Sequence, residues 1–362
     1  MLRPIAHRDF PFYTPKGAIP VGGALRDLLL GKRPWDLDFA ALDPLKAARE
    51  AQERLGGTLF PLDEARGQYR LVSGRLILDF SPLLGTLEED LLKRDFRLNA
   101  LAWKGGRVLG LRGADEDLRK RVLVPVREEN LYQDSLRSLR AVRLAASLGL
   151  GLPKATRMAL SRHAQFLRAH PEALPARERV REELSRLLLS PKAAWGLHTL
   201  GETGLLGVYL PELGLLVGLE QGGVHHLDAW RHTLSVVFHL LWLWPEASLE
   251  VRLAALFHDV GKPLTRRYDP EVGRFRFLGH GEVGGEVAKA ALLWLRFPKE
   301  EVERAVALVR RHMDRLPEEK KALRRFLFRR KDLLPHLVYL MAADRLGAKG
   351  VEAEAWAVLE AY

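Results

Sequence analysis

The chain of 362 residues contains no cysteine. Disulfides, thiolate zinc sites and thiol nucleophiles are thereby excluded, and any metal must sit on histidine or carboxylate. Also missing is an apolar run approaching the ~20 residues needed to cross a bilayer, and the N-terminus lacks a basic-then-apolar leader pattern, so the sequence reads as cytoplasmic with no membrane partner. There is no repeat and no low-complexity tract. What is present is ordinary: 47% hydrophobic and 28% charged residues, with enough chain for two or three domains. Lys and Arg (57) exceed Asp and Glu (46), a net charge of +11. That excess favours a polyanionic partner such as nucleic acid, although a basic protein without one would satisfy the charge equally well.

Strand signals concentrate between residue 1 and about 123, in runs such as "RLILDF" and "NALAWKGGRVLGL". From "DSLRSLRAVRLAASLGL" onward the apolar period is near 3.6, punctuated by Pro and Gly in "HPEALPARER", "LSPKAAWG" and "LPELGLL". The reading is an α/β head over 1–123, a helical region over 124–216, and a further, all-α domain over 217–362, its boundary near "VGLEQGG".

The most informative stretch of the head is "VGGALRDLLLGKRPWDLDFA", Val21 to Ala40. In a strand, alternate side chains share a face, so Asp36 and Asp38 point the same way while Leu37 and Phe39 point the other. Two carboxylates that close repel, and a divalent cation is their natural partner. Upstream, Gly22 and Gly23 permit a turn that brings backbone N–H groups and a helix start close to a phosphate. A third carboxylate comes from Asp79 in "LILDF" if its strand lies beside theirs; otherwise Asp79 is an edge-strand residue.

Together "GGALRDLLLG", "WDLDFA" and "KRDFRLNALAW", followed by "GADEDL", "QDSLRSLRAVRLAASLGL" and "RERVREELSRLL", resemble the class II tRNA nucleotidyltransferase and poly(A) polymerase family over about residues 15 to 215. The resemblance implies a polymerase-β-like head in which an RNA 3′-hydroxyl attacks the α-phosphate of CTP or ATP with two Mg²⁺ ions. It makes Asp36, Asp38 and Asp79 catalytic, with Asp36 and Asp38 holding metal. Gly22, Gly23 and Arg26 would bind the triphosphate, and Asp27 would orient Arg26. Arg94, Asp95 and Asn99 carry over, whereas Lys93 stands where the family usually has a first arginine and lacks its bidentate fork. Asp134 and Arg137 occupy the positions whose side chains read the incoming base, an acceptor for the cytosine amino group and donors for its ring nitrogen and carbonyl. The family's usual Glu is Gln133 here. Arg137, Arg140 and Arg143 form a basic stripe expected to face nucleotide and RNA.

Family members that build complete CCA ends carry a flexible loop after the third carboxylate. Here only "FSPLLGTLEEDLLK" separates Asp79 from Arg94. The resemblance therefore implies addition of CC to tRNA, held by its acceptor stem and 3′ end, with a separate A-adding enzyme completing the terminus. Complete CCA addition or A addition is the alternative, and a poly(A) polymerase a remoter one.

A second constellation follows: "WRHTLSV", "ALFHDVGKP", "LGHGEVG", "RRHMDRL" and "AADRL". Their order is that of the HD phosphohydrolase superfamily. This assigns His232, His258, Asp259, His280, His312 and Asp344 as ligands of a divalent transition metal such as Ni²⁺, Mn²⁺, Co²⁺ or Fe²⁺, with Lys262 on the phosphate. Asp259 would bridge two ions. His225 and His226 in "GVHHLDAW" are candidates to line the site. Family members with such a domain show phosphatase and cyclic phosphodiesterase activity, which implies repair of RNA 3′ ends.

Overall fold

The computed structural model describes residues 2–7, 10–221, 227–314 and 317–348. The chain divides into two compact units, residues 1–137 with 151–156, and residues 138–150 with 157–362.

In the first unit the elements run β1 (Arg3–His7), β2 (Ala18–Val21), α1 (Gly23–Leu29), β3 (Asp36–Ala41), α2 (Pro44–Leu55), β4 (Thr58–Asp63), β5 (Gln68–Ser73), β6 (Leu76–Pro82), α3 (Leu87–Leu92), β7 (Leu101–Lys104), β8 (Arg107–Gly110), α4 (Ala114–Lys120) and α5 (Glu129–Gln133). Among the described residues the strands form one mixed sheet of order β1-β8-β7-β2-β3-β6-β5-β4. The alternation in "DLDF" is realised on β3: Leu37 and Phe39 are buried, and Asp36 and Asp38 are open to solvent. Phe39 stacks on Phe80 of β6 with ring centroids 5.0 Å apart. Helix α2 covers this face. Asp43 caps it by accepting from the Lys46 N–H at 3.0 Å, Pro44 sets its first turn, and the small Ala47, Ala48 and Ala51 let it approach Leu71 and Leu78 closely. Full burial of each such Leu or Phe contributes about 1.5–3 kcal/mol, which fixes β3 face-down and its carboxylates face-up.

β3 and β6 are parallel, and Asp38 pairs with Asp79 in register. The carboxylates of adjacent strands therefore share one face.

α6 (Leu136–Leu148) runs from the first unit into the second. The second unit continues with α7 (Lys154–Ala169), α8 (Arg177–Leu188), α9 (Ala193–Glu202), α10 (Leu206–Tyr209), α11 (Pro211–Gly214), α12 (Ala229–Leu243), α13 (Leu249–Phe257), α14 (Lys262–Thr265), β9 (Arg267–Asp269), β10 (Arg274–Arg276), α15 (His280–Trp294), α16 (Lys299–Arg311), α17 (Lys320–Arg329) and α18 (His336–Ala348). The antiparallel β9–β10 ribbon is an addition to the helical expectation for this region. It turns through Gly273 at φ 65° and is pinned by Tyr268 meeting Phe275 edge-on, centroids 5.5 Å apart. Its strands are three residues long, too short to give a periodic signal.

Candidate active sites

The first site is built where α1, β3 and the segment after α3 converge. Gly22 precedes α1 at φ 86°, a conformation that favours glycine. A Cβ placed there would lie 2.8 Å from Asp38 Oδ2 and 2.9 Å from Arg94 Nη1, so three residues from three separate motifs meet at one point. Arg94 is braced from behind by Asp90, whose Oδ2 accepts from Nη2 at 3.2 Å. Asp38 is open to solvent, yet the protein packed around it holds its carboxyl above the ordinary range; Arg94 opposes that shift, and Asp79 and Asp36 add to it. A clustered acidic face of this kind suits hard divalent cations such as Mg²⁺.

Arg26 is buried, and its guanidinium is clamped on two sides. Nε donates to Asp27 Oδ1 at 2.9 Å and Nη1 donates to Asn99 Oδ1. Asn99 donates in turn to Asp95 Oδ1 at 2.9 Å, which also accepts the Phe96 N–H at 2.8 Å. Asn99 thus holds Arg26 alongside Asp27, with Asp95 behind it. Arg97, one turn away, is held by the buried Asp117 at 2.8 Å. Burial outweighs that arginine and pushes the Asp117 carboxyl up to about 6.

Asp79 shares the face of Asp38, but its two oxygens are occupied: Arg70 on β5 donates Nε to Oδ1 and Nη2 to Oδ2, both at 2.7 Å. Nothing in the motif pattern pointed to Arg70. Its signal is the sheet itself, because Arg70 is the antiparallel partner of Asp79.

Of the two base-reading candidates, Arg137 donates to the main-chain oxygens of Asn130 at 2.9 Å and Lys93 at 3.0 Å. Asn130, which sequence reasoning passed over, fixes that strip by donating to the oxygens of Leu92 and Arg94. Asp134 accepts the Leu136 N–H at 3.2 Å at the start of α6. The rest of the arginine stripe has a different orientation. Arg140 and Arg143 both turn to the buried Glu183 of α8, at 3.1 and 2.7 Å. Burial opposes ionisation of Glu183, but the Arg143 hydrogen bond and the two guanidinium charges prevail and hold its carboxyl below the ordinary range.

The second site lies in the second unit. His232 comes from α12, His258 and Asp259 from the end of α13, His280 from the first residue of α15, His312 from the end of α16 and Asp344 from α18. Asp259 is central: its Oδ2 is 3.1 Å from His258 Nε2 and 3.6 Å from His232 Nε2, and its Oδ1 is 3.4 Å from His280 Nε2 and 3.9 Å from His312 Nε2. Two triads, His232–His258–Asp259 and Asp259–His280–His312, can each surround one ion and share the carboxylate. Asp344 closes the first, 3.0 Å from His232 Nε2.

The outer hydrogen bonds fit metal ligation. Nδ1 of His258, His280 and His312 donates to the main-chain oxygens of Ala255, Phe277 and Val309, at 2.8, 2.7 and 2.6 Å. This fixes the tautomer and aims each Nε2 inward. His258 Nε2 is fully buried and, despite its distance from Asp259, lacks the alignment of a hydrogen bond. Burial holds the His312 imidazole down at about 4, leaving a lone pair available. Although burial opposes it, the charges of His258 and Lys262 hold Asp259 well below the usual carboxylate range. Lys262 donates to Asp259 Oδ2 at 2.6 Å and to Gln221 at 2.5 Å. Gln221 belongs to no motif and was not foreseen. His225 and His226 lie outside the described residues.

A cavity of about 410 Å³ opens onto this cluster, with Asp259, His280 and Asp344 among its walls. Among the described residues no helix is long and apolar enough to cross a membrane.

Known proteins match this chain in both units. Residues 229–349 match the HD domain family, and residues 149–216 match a family described as a probable RNA and SrmB-binding site of polymerase A. A CC-adding tRNA nucleotidyltransferase of Thermus thermophilus is 77% identical over 358 residues, 99% of this chain and 82% of the relative. An A-adding tRNA nucleotidyltransferase of Deinococcus radiodurans is 47% identical over 337 residues, 93% of this chain and 78% of the relative. Among solved structures, the Bacillus stearothermophilus CCA-adding enzyme in complex with CTP aligns with a TM-score of 0.64 and 25% identity, covering 95% of this chain and 77% of that one. With two motif sets in place and a relative of such identity spanning nearly its whole length, the chain belongs to the tRNA nucleotidyltransferase and poly(A) polymerase family and carries an HD domain.

Proposed function

We propose that this enzyme adds the two C residues of the tRNA CCA terminus. The observation that carries the reading is the short connection after Asp79: β6 ends at Pro82 and α3 begins at Leu87, with no insertion before Arg94. In this family a loop at that point goes with addition of the final A, and switching a templating pair from C to A needs such a lever. The 77% identical relative named CC-adding supports it. The relative named A-adding, at 47%, makes A addition the second reading.

In this account Asp36 and Asp38 hold Mg²⁺, with Asp79 beside them. The bound ions would supply activation of the RNA 3′-hydroxyl and charge stabilisation at the leaving pyrophosphate. The chain's own residues do the positioning. Arg26, locked by Asp27 and Asn99, and Arg94, braced by Asp90, bind the triphosphate beside the backbone of Gly22 and Gly23. Asp95 holds Asn99, and Lys93 adds a point charge. Asp134 and Arg137 read the cytosine edge. Arg140 and Arg143, tied to Glu183, hold the templating helix and add positive potential along the RNA path.

The HD cluster is a metal-dependent phosphatase or phosphodiesterase acting on RNA 3′ ends. His232, His258, Asp259, His280, His312 and Asp344 would hold transition-metal ions such as Ni²⁺, Mn²⁺, Co²⁺ or Fe²⁺, which supply Lewis acidity toward a phosphoester. Lys262 meets the phosphate charge. The working division is a head over 1–123, a neck over 124–216 that grips the acceptor stem by shape and phosphate contacts, and an HD region over 217–362. The reading assigns the enzyme to the cytoplasm, with a separate A-adding enzyme acting on the same tRNA.

The test is extension of a tRNA lacking its CCA end, resolved at single-nucleotide length with CTP alone and with CTP and ATP together. Two added residues in both mixtures support CC addition; a third with ATP overturns it.

A further inference from the structure

The cavity over the HD cluster has a second wall that no metal motif explains. Arg274, Phe275 and Arg276 of β10, with Phe277 and Leu278 after them, line the same 410 Å³ space as Asp259, His280 and Asp344. The two arginines differ. Arg276 is held by Asp269 across the ribbon, Nη1 to Oδ2 at 2.8 Å. Arg274 is exposed; its register partner across the ribbon, Asp269, takes Arg276 instead, and Arg274 makes no ion pair among the described residues. Phe275 sits between Arg266, whose guanidinium carbon is 3.8 Å from the ring centroid, and the edge of Tyr268. Arg274 and Phe275, adjacent on β10, project from opposite faces of the ribbon, and both line the cavity over a cluster suited to phosphoester chemistry.

Phosphate oxygens accept the guanidinium fork, and a base released from its own stack finds a partner in a ring flanked by arginine. We propose that the β9–β10 ribbon is the substrate-gripping element of the hydrolytic site: Arg274 binds the phosphate of a nucleotide ester while Phe275 receives its base. This rests on the hydrolytic reading of the HD cluster. The shared chemistry is a nucleotide bearing an esterified phosphate, presented by an RNA 3′ end or by a free mononucleotide. Arg274 and Phe275 belong to no ligand set, and the ribbon is one of the stretches that the sequence expectation lacked.

The experiment uses the full chain as wild type, Arg274→Gln, Arg274→Lys and Phe275→Leu. Hydrolysis is followed with Mn²⁺ or Ni²⁺ on three substrates: RNA ending in a 3′-phosphate, cytidine 3′-monophosphate, and base-free glycerol 2-phosphate. Separately, equilibrium dialysis measures cytidine 3′-monophosphate binding to each protein stripped of metal; the head is the same in all of them and contributes equally. The expected result for Arg274→Gln is a KM raised about tenfold on all three substrates with kcat within about threefold, and binding weakened at least about fivefold in dialysis. Arg274→Lys should recover part of both. Phe275→Leu should raise KM on the two nucleotide substrates and leave glycerol 2-phosphate unchanged. A larger effect on RNA than on the mononucleotide assigns the RNA end as the source, and the reverse assigns the free nucleotide. If Arg274→Gln changes neither KM nor the dialysis constant, the proposal is overturned, whether or not the wild type hydrolyses. If the wild type hydrolyses nothing, the hydrolytic reading falls instead, and the dialysis comparison still decides what the ribbon binds.

Discussion

Asp38 and Asp79 stand side by side in register on parallel strands, yet Asp38 faces Arg94 and Gly22 while Asp79 gives both oxygens to Arg70. One carboxylate stands beside the arginine we propose for the triphosphate, and its neighbour is neutralised by a bidentate partner. The two should respond differently to loss of charge. Asp38→Asn is expected to lower CTP incorporation by about 10³-fold or more, as for a residue that acts only in the transition state. Asp79→Asn should cost about tenfold, with a raised Mg²⁺ requirement. Single-turnover incorporation across a Mg²⁺ titration checks this; equal losses would mean that Asp79 leaves Arg70 and ligates metal directly.

Gly22 is constrained twice over, by its positive φ and by the space its missing Cβ leaves for Asp38 and Arg94. Gly22→Ala is therefore expected to destabilise the first unit by about 1–2 kcal/mol and to weaken CTP binding by about tenfold or more. Thermal unfolding and a nucleotide titration read the two effects separately. A variant with unchanged CTP affinity would show that the convergence at Gly22 is structural only.

The two proposed chemistries would use disjoint residues and different metals, Mg²⁺ in the head and a transition metal in the HD cluster. His258→Ala combined with Asp259→Ala is expected to abolish phosphoester hydrolysis and leave nucleotide incorporation within about threefold. Asp36→Ala with Asp38→Ala should do the reverse. Stripping transition metal while retaining Mg²⁺ should reproduce the first phenotype. Loss of both activities in either double variant would show that the sites are not separable.

His163 on α7 is fully buried, and burial lowers its imidazole to about 4 from the ordinary 6.5. Between those values the unfolded chain takes up a proton that the folded chain refuses. The stabilisation is complete above pH 6.5 and is lost as pH falls toward 4, a total of about 3 kcal/mol. His163→Phe should flatten the fall of Tm across that window. An unchanged profile would place the acid sensitivity elsewhere.

The parts legible in the sequence are those with local grammar. Alternation in "WDLDF" set the face of Asp36 and Asp38 because Leu37 and Phe39 must be buried. The HD histidines were legible because each falls at a helix end or on a helical face within a short motif. Partner choice between arginine and carboxylate was not. Arg70 for Asp79, and Glu183 for Arg140 and Arg143, join separate elements through tertiary packing, and no spacing encodes them. The arginine stripe shows the consequence: a period of three placed Arg140 and Arg143 on one face of α6, but a buried Glu183 decides where their guanidinium groups point. Gln221 and the β9–β10 ribbon escaped for related reasons, one an isolated polar residue and the other a pair of strands too short for periodicity.

The central claim is the number and identity of the residues added, so the most direct measurement is extension of a tRNA lacking its 3′ CCA by purified protein with Mg²⁺, given CTP alone or CTP with ATP. The account predicts two added residues in both mixtures, a product that stays at CC however long ATP is present. A third residue in the presence of ATP, or a single A on a tRNA already ending in CC, would contradict it.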